Sequence, residues 1–399
     1  MDISEVRSLA GGANQRGLRD HNARLLLTLL QRHGPMPGSD LARLSGLSPQ
    51  TVSVILRRLD ADGMVLRGAP QRGRVGKPRV PVGLNPDGAF SIGLKVGRRS
   101  ADLMLVDLHG QVRGQLHDTY RYPDPDGILR FLQEGLAKLA ACLPSALRDR
   151  IVGIGVARPG ELWVWQETVG GPPAALDGWR GFDFAAEVAR FSDLPVYVEN
   201  DATAACRAEH VFGRGRAFRD YAYFFMGSFI GGGIVLNHSV FGGAQGNAGA
   251  MGPLPTHDAQ GRPAQLLDTA SLHILEKRLV AAGHDPSRLW MLPQDWSGLD
   301  AVVDPWLDAV GEELARAAAT VCAVIDFEAV LFDGGFPEAV RMALVERIRA
   351  AMGRIDLRGL VPPRIEAGTV GGNARGLGAA CAPIFAQFLL DTHSGFAAA

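Results

Sequence analysis

The sequence predicts a small helical, winged module followed by an α/β body in two lobes. Three observations carry this expectation. A chain of 399 residues exceeds one ordinary hydrophobic core and implies two or three domains. Charge divides along the chain: residues 1–82 hold 13 Lys/Arg against 6 Asp/Glu, a net of +7, while the remainder is net −8, so the total of −1 hides two unlike regions. The body then alternates apolar, strand-like runs with amphipathic helical stretches, and its glycines, about twice the usual share, fall in turns after apolar strands.

The same composition excludes several classes. No run approaches the ~20 apolar residues of a membrane-spanning helix, and Met1 to Arg16 lacks the basic-then-apolar order of a secretory signal. The expectation is a cytoplasmic protein with no membrane partner. Cys142, Cys206, Cys322 and Cys381 are far apart and form no CxxC pair, so all four read as buried thiols.

In the basic module, NARLLLTLLQRHG from Asn22 to Gly34 reads as a helix with an Asn cap and a terminal Gly. Ser39 is expected to cap a second helix, Asp40 to Ser45, which breaks at Gly46. Ser48-Pro49 opens a third, since Ser caps and Pro is tolerated in the first turn. Val52, Ile55, Leu56 and Leu59 follow helical spacing and face inward, leaving Gln50, Thr51, Ser53, Arg57 and Arg58 on the opposite face. Met64 to Leu66 and Val80 to Leu84 read as two strands around a loop with Arg67, Arg72, Arg74, Lys77 and Arg79. Two short helices, a polar-faced third and a basic wing form the winged helix-turn-helix plan, whose last helix enters a DNA major groove. Gln50 and Ser53 suit base edges, because amides and hydroxyls read bases; Arg57, Arg72, Arg74 and Lys77 suit phosphates. A helical dimerisation module with a solvated basic loop remains the alternative.

The acidic body opens with three strands, FSIGLKVG, ADLMLVDL and QVRGQLH, and a helix opened by Asp126 with Ile128, Leu132, Leu136 and Leu139 on one face. A buried strand, Ile151 to Ala157, ends in Arg158-Pro159-Gly160; another, Pro195 to Glu199, ends in Asn200-Asp201 and runs into a helix through His210. Strands at Tyr221 to Met226 and Gly232 to Leu236 bracket a glycine-rich turn. Such alternation suits an α/β fold in two lobes.

VYVENDATAACRAEHVFGRG, GSFIGGGIVLN, GGAQGNAGAMG and GGNARGLGAA resemble the ROK family of repressors, open reading frames and sugar kinases. The run from LRDHNARLLLTLLQRHG to GRVGKPRVPVGLNP resembles the winged helix-turn-helix of the repressor branch. The resemblance spans nearly the whole chain. It implies a two-lobed actin-like ATPase (ribonuclease H-like) body, with a sugar in the interlobe cleft. The expected boundaries are 1–83 for the DNA-binding head and 84–399 for the body, with lobe 1 at about 88–200 plus a C-terminal helix at about 374–392, and lobe 2 at about 201–373.

Individual positions then separate kinase from regulator. The kinases' Asp-x-Gly-Gly-Thr phosphate turn corresponds to Lys95-Val96-Gly97-Arg98-Arg99, and Gly-Thr-Gly-Ile-Gly-Gly-Gly to Gly227-Ser228-Phe229-Ile230-Gly231-Gly232-Gly233. Glycines in such turns let backbone N–H groups approach phosphate, and these changes oppose ATP and magnesium binding. Asp201 matches the catalytic base, and Asn200 the neighbour that bonds the sugar. Without ATP, Asp201 would only accept a ligand hydroxyl; a helix N-cap is its structural alternative. The family's Gly-Glu-x-Gly-His becomes Gly249-Ala250-Met251-Gly252-Pro253, and its zinc-binding cysteines are absent around Gln265 to Asp268, so neither ATP nor zinc is expected as a cofactor. Asp268 stands where the last sugar-binding Glu would be. His257-Asp258 is too small a set for a metal site. Gly160, Glu161, Trp163, Trp165 and Trp179 are candidate cleft residues, since Trp stacks on sugar rings while polar groups hold the hydroxyl edges, with ordinary packing as the alternative.

The reading is a homodimeric or larger transcriptional regulator, expected to be a repressor, that binds an operator in double-stranded DNA. Its body binds a sugar or sugar derivative rather than acting as an enzyme. Two alternatives stay open: a bifunctional kinase with Asp201 as base, and a regulator with no sugar ligand.

Overall fold

The computed structural model describes residues 15–70, 79–160 and 176–390. These form two compact units. One takes the chain up to Ala89 with Asp107–His109 and Ile384–Leu390; the other takes Phe90–Val106 and Gly110–Pro383.

The first unit contains α1 (Gln15–His33), β1 (Met36–Pro37), α2 (Gly38–Ser45), α3 (Pro49–Ala61), β2 (Val65–Arg67) and β3 (Pro81–Leu84). Helix α1 begins upstream of the expected Asn22 cap and buries Leu26, Leu27 and Leu30 before Gly34 closes it in a left-handed turn. Ser39 lies inside α2 rather than capping it, because Pro37, in extended conformation, already directs the chain into the helix. Gly46 terminates α2 at φ 70°. Helix α3 starts as its sequence implies: Ser48 Oγ accepts the Thr51 N–H at 3.1 Å, and Val52, Leu56 and Leu59 are buried. The wing sheet has three strands, in order β1-β3-β2, where two were expected. Met36 and Pro37 pair with Val82 and Pro81, a strand too short to show any alternation.

The sequence reading placed the whole of 374–392 in the body, yet Ile384–Leu390 packs in the head unit. Helix-terminal carbonyls need donors, and α1 supplies one, Arg24 Nε donating to Leu389 O at 2.9 Å; α1 also offers an acceptor, Thr28 Oγ1, to the Leu390 N–H at 2.9 Å.

The second unit has two five-stranded sheets. Lobe 1 comprises β4 (Phe90–Val96), β5 (Ser100–Asp107), β6 (Val112–Thr119), α4 (Pro125–Ala140), β7 (Ile151–Arg158), α5 (Phe184–Val188) and β8 (Val196–Asn200). After α6 (Asp201–Phe212) come β9 (Tyr221–Met226), β10 (Ile230–Leu236), β11 (Ser239–Phe241), a small β12–β13 hairpin (Pro255–His257, Pro263–Gln265), α7 (Leu266–Thr269), α8 (Leu272–Ala281), α9 (Asp300–Val324), β14 (Ala329–Gly334), α10 (Glu338–Met352), β15 (Arg364–Ala367) and α11 (Ala374–Phe388). The sheet orders are β6-β5-β4-β7-β8 and β11-β10-β9-β14-β15, the same third-second-first-fourth-fifth arrangement twice. In each, the first strand pairs in parallel with the fourth, and the fourth with the fifth. This repeat is the two-lobed architecture that the strand-helix alternation predicts.

Separate cores fill the lobes. Phe90, Leu103, Leu132 and Trp179 belong to one, and Phe224, Trp306, Leu314 and Phe332 to the other. Trp179 is therefore a packing residue, not a cleft wall: it is 2% exposed and donates its indole N–H to Pro123 O at 3.1 Å. Helix α4 is capped by Asp124, which accepts the Gly127 N–H, so Asp126 lies inside the first turn. Helix α11 approaches the lobe-1 sheet backbone to backbone. A Cβ on Gly155 would stand 1.8 Å from Ala379 O, so only glycine permits that approach. Cys206, Cys322 and Cys381 are buried, but Cys142 is exposed at the end of α4, contrary to expectation. Among the described residues, no helix is long and apolar enough to cross a membrane.

Candidate functional site

On the head, capping and burial of one α3 face leave the other open. Gln50, Ser53, Arg57 and Arg58 are exposed there, with Val54, 56% exposed, among them. Thr51 is half-buried, and its hydroxyl lies 2.9 Å from Ser48 Oγ, which assigns it to the cap as much as to the face. Arg57 Nε donates to Ser53 O at 3.4 Å, and Arg67 is tied to Asp60 at 2.8 Å. Arg72, Arg74 and Lys77 lie outside the described residues.

In the body, a cleft of ≈ 660 Å³ lies between the lobes. Asn200 and Asp201 reach it from the junction of β8 and α6, with Gly160 from the end of β7. Asn200 is the cap of α6: its Oδ1 accepts Ala202 N–H at 2.9 Å and Thr203 N–H at 3.4 Å. Asp201 is thereby released from the capping alternative, and its carboxylate meets Arg375 at 3.2 Å, both side chains nearly buried at 14% and 12% exposure. Gln245, Asn247, Ala250 and Pro253 also line the cleft.

Asp268, expected at the sugar, and Gly249, which opens the counterpart of Gly-Glu-x-Gly-His and was a candidate contact, are not among the residues that line the cleft. Asp268 lies outside the cleft lining, because its Oδ2 accepts the Gln265 N–H at 3.1 Å in a capping box that starts α7. Gly249 serves the backbone: it sits at φ 79°, and a Cβ there would be 2.5 Å from Gly233 Cα. Glu161, Trp163 and Trp165 fall outside the described residues. His257 and Asp258 form a β-hairpin edge where Asp258 pairs with Arg262 at 2.7 Å.

The two glycine-rich turns meet at the cleft in an unusual chemical setting. Lys95, 5% exposed, donates to Asp102 at 2.9 Å and to Ser100 Oγ at 2.7 Å. Burial lowers its pKa to about 8 despite the Asp102 charge. Burial pushes Asp102 up, but the Lys95 ammonium and the His117 hydrogen bond outweigh it and hold the carboxyl below the usual range. The Arg98 guanidinium carbon lies 4.1 Å from the centre of the Phe229 ring, and the Phe229 and His273 rings meet in a T-shaped contact with centroids 4.9 Å apart. Burial holds His273 neutral, with its pKa lowered to about 4. Phe229 is fixed by its neighbours: the Gly227 N–H bonds Phe229 O at 3.1 Å, and the Ile230 N–H bonds Ser271 Oγ at 3.0 Å.

Sequence reasoning missed Arg158 and Arg375 as cleft residues and treated Arg98 only as a lost glycine. The available signal was position: Arg158 ends β7, and Arg375 lies in GGNARGLGAA, one of the motifs that carry the family resemblance.

Comparison with known proteins places this geometry. The profile described as the ROK family matches residues 91–382, and one described as winged helix-turn-helix DNA-binding matches residues 19–65. An uncharacterized protein y4fQ of Sinorhizobium fredii is 27% identical over 92% of this chain and 91% of its own length. The xylose repressor of Bacillus subtilis is 26% identical, and the DNA-binding transcriptional dual regulator NagC of Escherichia coli 25%, over about three fifths of each chain (60% and 62%; 61% and 60%). Among solved structures, a ROK family transcriptional regulator described as a homologue of E. coli MLC protein superposes with a TM-score of 0.65 at 21% identity, covering 93% of this chain and 97% of that one. A ROK family glucokinase from Streptomyces griseus, in complex with glucose and AMPPNP, gives 0.57 at 22%, covering 73% and 98%. Both likenesses are of fold. With the family profile spanning most of the body, the chain belongs to the ROK family.

Proposed function

We propose that the protein is a DNA-binding transcriptional regulator, acting as a repressor, whose kinase-like body binds a sugar or sugar derivative as effector. The observation that carries this reading is α3: a capped helix in a winged unit, presenting Gln50, Ser53 and Arg57 to solvent while its apolar residues are buried. That is the surface a recognition helix needs, with an amide and a hydroxyl for base edges and a guanidinium for phosphate. The named repressor relatives support the same reading. In this reading the protein works in the cytoplasm as a homodimer or larger assembly, so that paired heads meet half-sites spaced by a helical turn or a multiple. An effector that binds one interlobe arrangement more tightly than another would shift the DNA-competent population by that difference.

The body is proposed to be a sensor and not an enzyme. Residues at the nucleotide positions do not fit ATP with magnesium: a buried Lys95 already committed to Asp102 stands where an acid would hold the metal, and the Arg98–Phe229 stack stands at the phosphate turns. Those at the zinc positions do not fit that ion either, since Pro253 offers no side-chain donor and Gln265 to Asp268 include no cysteine. Asp201 favours the second reading, a sugar kinase with this carboxylate as base, because it does face the cleft. Arg375 opposes it, because its hydrogen bond at 3.2 Å already occupies the carboxylate that a ligand hydroxyl would need.

Two measurements on the full-length protein test this. Its affinity for DNA upstream of its own gene, followed by fluorescence anisotropy, is expected to exceed that for scrambled DNA and to change with a carbohydrate from a broad panel. ADP release over the same panel is expected to stay at background; turnover abolished by Asp201→Asn would establish the kinase instead.

A further inference from the structure

We propose that the cleft is built for an anionic carbohydrate, one bearing a phosphate or a carboxylate, with the guanidinium of Arg98 holding the acidic group and Arg158 as a second donor. This rests on the effector-binding reading above and names the chemical class of the effector. Three arginines, Arg98, Arg158 and Arg375, line the cleft, together with the carboxylates Asp201 and Glu199. Both carboxylates are already paired, Asp201 with Arg375 at 3.2 Å and Glu199 with Arg207 at 3.4 Å. That leaves Arg98 and Arg158 with no carboxylate partner among the described residues.

Their surroundings make the imbalance specific. Arg98 Nε is buried without a hydrogen-bond partner, and the guanidinium carbon lies 4.1 Å from the centre of the Phe229 ring, which packs against it without offering an acceptor oxygen. Arg158 makes a long 3.4 Å contact to the neighbouring Pro159 O. Burial lowers the pKa of Arg98 to about 10, with Arg375 adding to the effect and Asp201 opposing it, so it remains charged at neutral pH. Buried cations are retained where a counter-charge arrives, and a planar guanidinium edge matches phosphate or carboxylate through two parallel N–H···O bonds. Gln245 and Asn247 on the same lining supply amides for hydroxyl groups. A neutral sugar would satisfy those amides and leave both guanidinium groups without a hydrogen-bonded counter-ion among the described residues.

The test is titration calorimetry on the full-length protein at constant ionic strength, with matched sets: a neutral aldose, its 6-phosphate and its uronate, over several hexoses and amino sugars. The expected result is that one acidic member binds at least about tenfold more tightly than its neutral parent, the scale of a charge-assisted pair. Arg98→Gln is expected to bring that ligand down to the affinity of its parent, while Arg98→Lys retains part of the preference. Arg158→Gln, at a side chain with one weak contact, provides an independent variant with the same expected direction. Whether the phosphate or the uronate wins identifies the acidic group. Neutral sugars that bind as tightly as their acidic counterparts, or a preference that survives both Gln variants, would overturn the anion site while leaving an effector cleft. No binding by any carbohydrate would remove the effector reading as well.

Discussion

Breaking the Asp201–Arg375 pair should reveal how firmly the candidate base is held. At 3.2 Å, two unit charges attract by about 5 kcal/mol at an effective dielectric of 20. Side-chain exposures of 14% and 12% mean that desolvation offsets much of this, leaving an expected coupling of about 1–3 kcal/mol. Arg375→Gln alone should destabilise the body more than that coupling, because the nearly buried Asp201 side chain then loses its hydrogen-bonded partner. Asp201→Asn alone should do likewise by orphaning Arg375. The double variant should recover much of the loss. Urea unfolding of the four proteins, following the transition of the body separately from that of the head, gives the cycle directly. Additivity of the two single effects within ~0.5 kcal/mol would refute the pairing argument. The same Arg375→Gln protein should remain without ADP release, since Phe229 and Lys95 are untouched; turnover in that variant would mean that the ion pair alone silences a kinase.

Other predictions follow from single contacts. Ser48→Ala should cost the head about 1 kcal/mol and weaken DNA binding in proportion, by loss of the cap that sets α3, as read by thermal unfolding beside anisotropy. Gly249→Ala should prevent stable folding of the body, because a Cβ there meets Gly233 Cα at 2.5 Å and the backbone is left-handed; a native-like circular dichroism melt would contradict this. His273 has a folded pKa lowered from 6.5 to about 4, so the unfolded chain binds more protons between those values and its stabilising contribution, present above pH 6.5, is lost as pH falls toward 4. His273→Gln should flatten the stability profile in that window by about 1–2 kcal/mol, after allowing for solvent near the ring. Asp102, held low, contributes stability above the ordinary carboxylate range that is lost as pH falls below it; Asp102→Asn should shallow that acid limb.

The architecture was legible because its signals are local and redundant. Ser48-Pro49 with Val52, Leu56 and Leu59 specifies α3 by cap and period together, and apolar runs such as Tyr221 to Met226 can only be buried strands. Signals resting on a single residue failed: Asn22 and Ser39 are plausible caps by type, yet both lie inside helices, Asn22 in α1 from Gln15 and Ser39 in α2, which Pro37 caps. The cleft was half legible. Asn200-Asp201 could be located, but one residue caps while its neighbour faces the cleft, a division decided by backbone geometry at the β8–α6 junction. Asp268 was misread because capping and ligand binding call for the same carboxylate. The arginines escaped because Arg98, Arg158 and Arg375 are far apart in sequence and converge only when two lobes close around one space.

The claim that α3 reads DNA is tested most directly by comparing specific with scrambled DNA over a salt series, for the wild-type protein and for Gln50→Ala. The account predicts a steep fall of affinity with salt for both DNAs, as counterion release requires. It also predicts that Gln50→Ala lowers discrimination at one base pair by about 1–3 kcal/mol and leaves the salt slope unchanged. Equal affinity of the wild-type protein for both DNAs, or a Gln50→Ala variant with undiminished discrimination at every position, would contradict it.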